Sequence, residues 1–170
     1  MTALFVIAQH SFQDQEFAIP FQALREFGVQ CQVASLERGF ATGKFGAQVA
    51  VDLSLSEAVG LDFDAVVFVG GSGAIAFQEN EKVWQIAQRN FQNGKIVAAI
   101  CIAPTILAKA GVLQGKSATV WNGDGQQNAF IENHGAKFVD KTMVVDQNVV
   151  TANGPGAAEI FAQEILKKLQ

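Results

Sequence analysis

Short uninterrupted apolar runs alternate along this chain with stretches whose apolar residues recur every three to four positions, and the two patterns predict strands and helices respectively. Ala3–Ala8, Val29–Ala34, Ala65–Val69 and Ile96–Ile100 are the strand-like runs. The second alternates; the others are apolar throughout, as suits strands covered on both faces of a parallel sheet. Glu16–Phe27 predicts a helix through Phe17, Leu24 and Phe27, with Pro20 expected in its first turn and Gly28 at its end. Glu79–Phe91 predicts another through Val83, Trp84, Ile86, Ala87 and Phe91, closed by Asn93-Gly94. His10–Gln15 is polar and reads as a loop. Phe40–Leu53, with Gly43 and Gly46 ahead of alternating Ala47, Val49 and Val51, predicts a hairpin or excursion.

After Ile100 the pattern predicts a helix to about Ala110 with Gly111 as its stop, a strand over Ser117–Trp121 and a short helix over Gln126–Asn133. A pair of strands follows in Lys137–Val150 around Asp146-Gln147-Asn148. The last helix begins near Gly156, with Ile160, Phe161, Ile165, Leu166 and Leu169 inward and Lys167 and Lys168 in its last turn, where cations are favoured. Strands alternating with helices predict one α/β domain over residues 1–170 with a mostly parallel sheet.

Composition narrows the function classes. With 49% hydrophobic and 16% charged residues, the chain has the material for a large core. A net charge of -4 and unclustered Lys and Arg argue against a nucleic-acid face. No apolar run is long enough for a spanning helix, and no signal-like segment opens the sequence, so no membrane association and a cytoplasmic location are expected. The two cysteines, Cys31 and Cys101, fit a reducing compartment. No Cys or His cluster suggests a metal, and no cofactor is expected.

Cys101 carries the candidate chemistry. It stands between a buried strand and Pro104, a residue suited to the first turn of a helix, so its thiol is expected at a strand-to-helix elbow where a helix N-terminus favours thiolate. The alternative is a small core residue, which is the expectation for Cys31. Gly70-Gly71 closes another strand and leaves N–H groups open for an oxyanion. Gly71-Ser72-Gly73-Ala74-Ile75-Ala76 also fits the GxGxxA dinucleotide pattern, but Asn90–Gln92 stand where an acidic ribose ligand is needed, and the next strand does not end on one. A protonated carboxyl group beside the thiol would donate a hydrogen bond to a thiolate; Glu16 and Asp14 are both placed for it. His10 lies on the same sheet edge, whereas His134 lies far along the chain; each is either a base or a solvated loop residue.

Glu16-Phe-Ala-Ile-Pro20, Val69-Gly70-Gly71, Ala98-Ala-Ile-Cys101-Ile-Ala-Pro104 and Thr151-Ala-Asn-Gly154-Pro155-Gly156 resemble, in order and spacing, the hallmarks of the DJ-1/PfpI superfamily. The resemblance implies a flavodoxin-like three-layer α/β sandwich of the class I glutamine amidotransferase type, with Cys101 at the nucleophile elbow. It implies Glu16 as the protonated acid beside the thiol, and Gly70, Gly71 and Ile102 as backbone oxyanion donors. Trp121, Asn122, His10, Asn153, Gly154 and Pro155 are the expected pocket-lining residues. Ile102 stands where the protease-like branch has histidine, which argues against a peptidase, and Val69 replaces the proline common before the glycines. The implied activity is a glyoxalase, deglycase or hydrolase reaction on small carbonyls or their adducts, by a homodimer or higher homo-oligomer. The alternative is a non-enzymatic redox sensor or chaperone-like protein acting through oxidation of Cys101.

Overall fold

The computed structural model describes residues 1–170. The elements run β1 (Thr2–Val6), β2 (His10–Phe12), α1 (Asp14–Glu26), β3 (Gln30–Ser35), β4 (Gly39–Gly43), β5 (Gln48–Val51), β6 (Leu53–Ser54), α2 (Leu55–Ala58) and β7 (Ala65–Phe68). They continue with α3 (Glu81–Gln92), β8 (Ile96–Ile100), α4 (Pro104–Lys109), β9 (Ser117–Ala118), α5 (Gln127–Asn133), β10 (Lys137–Phe138), β11 (Met143–Asp146), β12 (Val149–Ala152) and α6 (Ala158–Leu169). The central sheet has seven strands in the order β11-β12-β8-β7-β1-β3-β6. Every neighbouring pair in it is parallel except the β11–β12 hairpin.

Side-chain alternation along the strands builds two cores from one sheet. Ala3 and Phe5 of β1 join Phe17 and Leu24 of α1 and Phe161 and Ile165 of α6 on one face. Leu4 and Val6 join Val83 and Ile86 of α3 and Ile106 and Leu107 of α4 on the other. The result is a flavodoxin-like three-layer sandwich. Phe17 packs edge-on to Phe5 and Phe12 and stacks on Phe21, which fixes α1 to the sheet and sets the direction in which Glu16 points. No helix is long and apolar enough to cross a membrane.

Local expectations fail where tertiary contacts outweigh pattern. The polar stretch after β1 is not all loop: His10–Phe12 pairs in parallel with β4, an association that hydropathy does not reveal. The first helix begins at Asp14, because the Gln13 side chain caps it by accepting from the N–H groups of Gln15 and Glu16 at 2.7 and 3.3 Å. Pro20 therefore lies inside the helix rather than in its first turn, on the buried face with Glu16, Phe17 and Leu24. The second long helix starts at Glu81 behind the cap Asn80, and Ser72–Glu79 is a 3-10 segment. Ser117–Trp121 contributes only Ser117–Ala118 as strand, paired with β10 outside the main sheet. Ile160 was expected inward but is 42% exposed, since Phe161 and Ile165 fill the face of α6 that meets the sheet.

Candidate active site

The carboxyl ends of β1, β7, β8 and β12 meet on one edge of the sheet, where open α/β sheets place their sites. Cys101 follows β8 directly and adopts φ 64°, a left-handed conformation that costs a non-glycine residue of order 1–3 kcal/mol unless its surroundings impose it. They do so through both backbone groups. Cys101 N–H donates to the Ala152 carbonyl at 2.9 Å, and the Cys101 carbonyl accepts from Trp121 N–H at 2.8 Å. The turn is thus clamped between β12 and the segment after β9, and it holds the half-buried thiol between the two cores.

Glu16 is fully buried in the first turn of α1. Gly70 N–H donates to its Oε2 at 3.1 Å, while Oε1 is buried with no aligned hydrogen-bond donor. The Cys101 thiol is its neighbour, in a contact that interacts with the carboxyl without satisfying it. Burial therefore pushes the Glu16 carboxyl up to about 7, against the lowering effects of Cys101 and the Gly70 N–H. Oε1 is the oxygen left to take a proton.

The acidified thiol expected from a helix N-terminus is a correction. Burial first and the Glu16 carboxylate second push Cys101 up to about 12, and only the Gly71 and Ile102 N–H groups act to lower it. The helix contributes little because α4 has six residues and begins at Pro104, three positions beyond the thiol. Glu16 and Cys101 do not ionise together in one buried site: the carboxyl gives up its proton first, near pH 7, and the thiol beside it keeps its own.

The glycines are held by close approach. A side chain at Gly70 would put its Cβ 2.5 Å from Glu16 Oε2 and 2.6 Å from Cys101 Cβ. At Gly71, φ 101° and contacts of 2.5–2.8 Å with the Ser11–Gln13 backbone exclude one as well. Gly73 lies against the His10 carbonyl and Ala8, so the GxGxxA pattern here records packing around a 3-10 turn. Gly70→Ala is expected to separate the carboxyl group from the thiol. Stability should fall by about 1–3 kcal/mol in urea titration, with a loss of activity larger than the stability loss explains.

A pocket of about 370 Å³ opens over the pair. Of the candidate residues named from the sequence, Cys101, Glu16, Gly71, Ile102, Trp121 and Pro155 line it. Gly70 does not; its N–H is committed to Glu16. Asn122 also stands outside the lining, because its Oδ1 accepts from Gln127 and Asn128 N–H and caps α5. Asn153 and Gly154 stand outside it too, with Asn153 N–H donating to the Thr142 carbonyl. His10 is exposed, and His134 stacks on Phe130; neither lines the pocket. Gln13, Lys44, Ser72, Ile75, Asp124 and Gln127 complete it. Ser72 and Ile75 come from the 3-10 segment after Gly71 and Gln127 from the start of α5, while Lys44 and Asp124 arrive on separate loops.

A larger hollow of about 720 Å³ lies between α1, β3 and β5 and contains Cys31. Burial pushes that thiol up to about 11, and no carboxyl group adjoins it in a comparable pair. No group of three or more His, Cys, Asp or Glu side chains is assembled as a metal site.

The sequence profile of the DJ-1/PfpI family matches residues 1–168. The chain is similar to a deglycase, PfpI of Pyrococcus furiosus, with 39% identity over 172 aligned residues covering 100% of both chains. Among solved structures it is similar to the ThiJ/PfpI domain protein of Brachyspira murdochii, with TM-score 0.92, 32% identity and coverage of 99% of this chain and 95% of that one. It is also similar to DJ-1beta of Drosophila melanogaster, with TM-score 0.89, 36% identity and coverage of 99% and 89%.

Proposed function

The chain belongs to the DJ-1/PfpI family, and from that premise we propose that it is a cysteine-dependent enzyme acting on small reactive carbonyls or their adducts. The observation that carries this reading is the buried Glu16 carboxyl, one oxygen held by Gly70 N–H and the other left open beside a thiol in a pocket. A carboxylate whose pKa is about 7 is matched to proton transfer at neutral pH. It takes the thiol proton as Sγ forms its bond to the carbonyl carbon, and the carbonyl electron pair moves onto oxygen. The Gly71 and Ile102 N–H groups face the sulfur and are positioned to receive that oxyanion. Glu16 then returns the proton to the oxygen.

With a 2-oxoaldehyde the resulting thiohemiacetal isomerises by moving its C1 proton to C2 and its hydroxyl proton to the neighbouring oxygen. C1 is oxidised as C2 is reduced, so no outside redox partner is consumed. Water cleaves the thioester to a 2-hydroxy acid and regenerates the thiol. Resemblance to a relative named a deglycase supports the extension to carbonyl adducts. The homo-oligomeric state and cytoplasmic location belong to the same proposal.

The test is stoichiometric alkylation. Turnover of methylglyoxal should fall in proportion to the fraction of Cys101 carrying the label, read by peptide mass. Activity that survives complete labelling of Cys101 overturns the nucleophile and leaves the thiol to the redox-sensing alternative.

A further inference from the structure

Asp14, the carboxylate that the sequence could not separate from Glu16, has a different task. Its two oxygens accept from Phe45 N–H and Ala47 N–H, both at 2.9 Å. Gly43 lies so close to this carboxylate that a Cβ there would collide with it. Lys44 N–H, between them, donates to the Phe12 carbonyl at 2.8 Å. The β4–β5 turn is therefore tied to the start of α1, two residues from the buried acid, and its Lys44 lines the pocket over Cys101.

Lys44 is the one cation in the lining of that pocket, which it shares with the carboxyl groups of Glu16 and Asp124. It enters no ion pair, and its ammonium lies 5.6 Å from the centroid of the Phe45 ring. Asp124, the other exposed charge in the lining, already accepts from Gln126 N–H at 2.9 Å and from the Gln127 side chain at 2.7 Å. We propose that Lys44, positioned by Asp14, selects substrates that carry a carboxylate beside the reactive carbonyl or on the adduct, a preference that rests on the reading of Cys101 as the nucleophile. A lining cation with no ion-pair partner attracts a carboxylate carried by the substrate through Coulomb energy. Neutral carbonyls of the same size gain nothing from Lys44.

The experiment compares two alkylating reagents that share a leaving group and differ by one charge. The rate ratio of iodoacetate to iodoacetamide at Cys101 cancels the thiolate fraction and reads the local field. This ratio is expected to fall about fivefold or more in Lys44→Met at low salt, and to be retained in Lys44→Arg. The Cys31 ratio should be the same in all three proteins. Asp14→Ala, which frees the turn, should give a Cys101 ratio between those of wild type and Lys44→Met; a wild-type ratio there removes the positioning role of Asp14. An unchanged ratio in Lys44→Met overturns the carboxylate preference and leaves the nucleophile standing. A Cys101 that reacts with neither reagent overturns both.

Discussion

Cys101→Ala is expected to lower kcat/KM for methylglyoxal by at least about 10³-fold while the protein remains folded. The carbon–sulfur bond is the first step of the proposed reaction, and no second nucleophile lines the pocket at the elbow: Ser72 and Lys44 come from separate segments. The fold should tolerate the change. Alanine meets the same strained backbone as cysteine at φ 64°, and the clamping bonds to Ala152 and Trp121 are made by main-chain atoms. The thermal midpoint should therefore move by about 4 °C or less, equivalent to roughly 1 kcal/mol for a chain of this length. Steady-state kinetics with a thermal melt on the same preparation checks both halves. Activity within tenfold of wild type would show that carbonyl turnover, if present, uses another group.

The second large effect belongs to Glu16. Glu16→Gln retains an acceptor for the Gly70 N–H but cannot take the thiol proton, so kcat/KM should fall by about 10²- to 10⁴-fold. Glu16→Leu should be at least as impaired and also less stable, because it leaves the Gly70 N–H buried without a partner. The apparent pKa of Cys101 should move down in Glu16→Gln, since the variant removes the repulsion of a carboxylate beside the thiol.

The same carboxyl couples stability to pH. Its folded value of about 7 lies above the ordinary 4.5, so between these values the folded protein holds a proton that the unfolded chain has released. The stabilisation is complete below pH 4.5 and is lost as pH rises toward about 7, by roughly 3 kcal/mol at 1.36 kcal/mol per pH unit. Urea midpoints measured from pH 5 to pH 8 should decline for wild type and stay flatter for Glu16→Gln. Parallel declines in the two proteins would mean that Glu16 is not the group responsible.

Much of the sheet was legible because local pattern and final environment agree. Ile96–Ile100 reads as a buried strand and is one; Ala65–Val69 ends on two glycines because Glu16, Cys101 and the Ser11–Gln13 backbone leave no room for a side chain there. The Cys101 elbow was legible for a similar reason, since an apolar run followed by Pro104 demands a change of element within three residues. Ile160 was misplaced because its helical spacing suits either edge of an apolar stripe, and only the packing of α6 on the sheet chooses between them.

The sequence alone determined the alternation of strands and helices, the cysteine at the end of a central strand and the choice of family, because each is written in contiguous residues with short-range physical causes. The tertiary structure decided which carboxylate meets the thiol. Asp14 and Glu16 are two residues apart on one helix, and the direction of α1 across the sheet sends the first to the β4–β5 turn and the second into the core. It also decided the proton's place and the pocket's charge. Burial of Glu16 and Cys101 and the arrival of Lys44 depend on segments far apart in the chain, and desolvation and Coulomb energy follow distance in space, which local sequence does not encode.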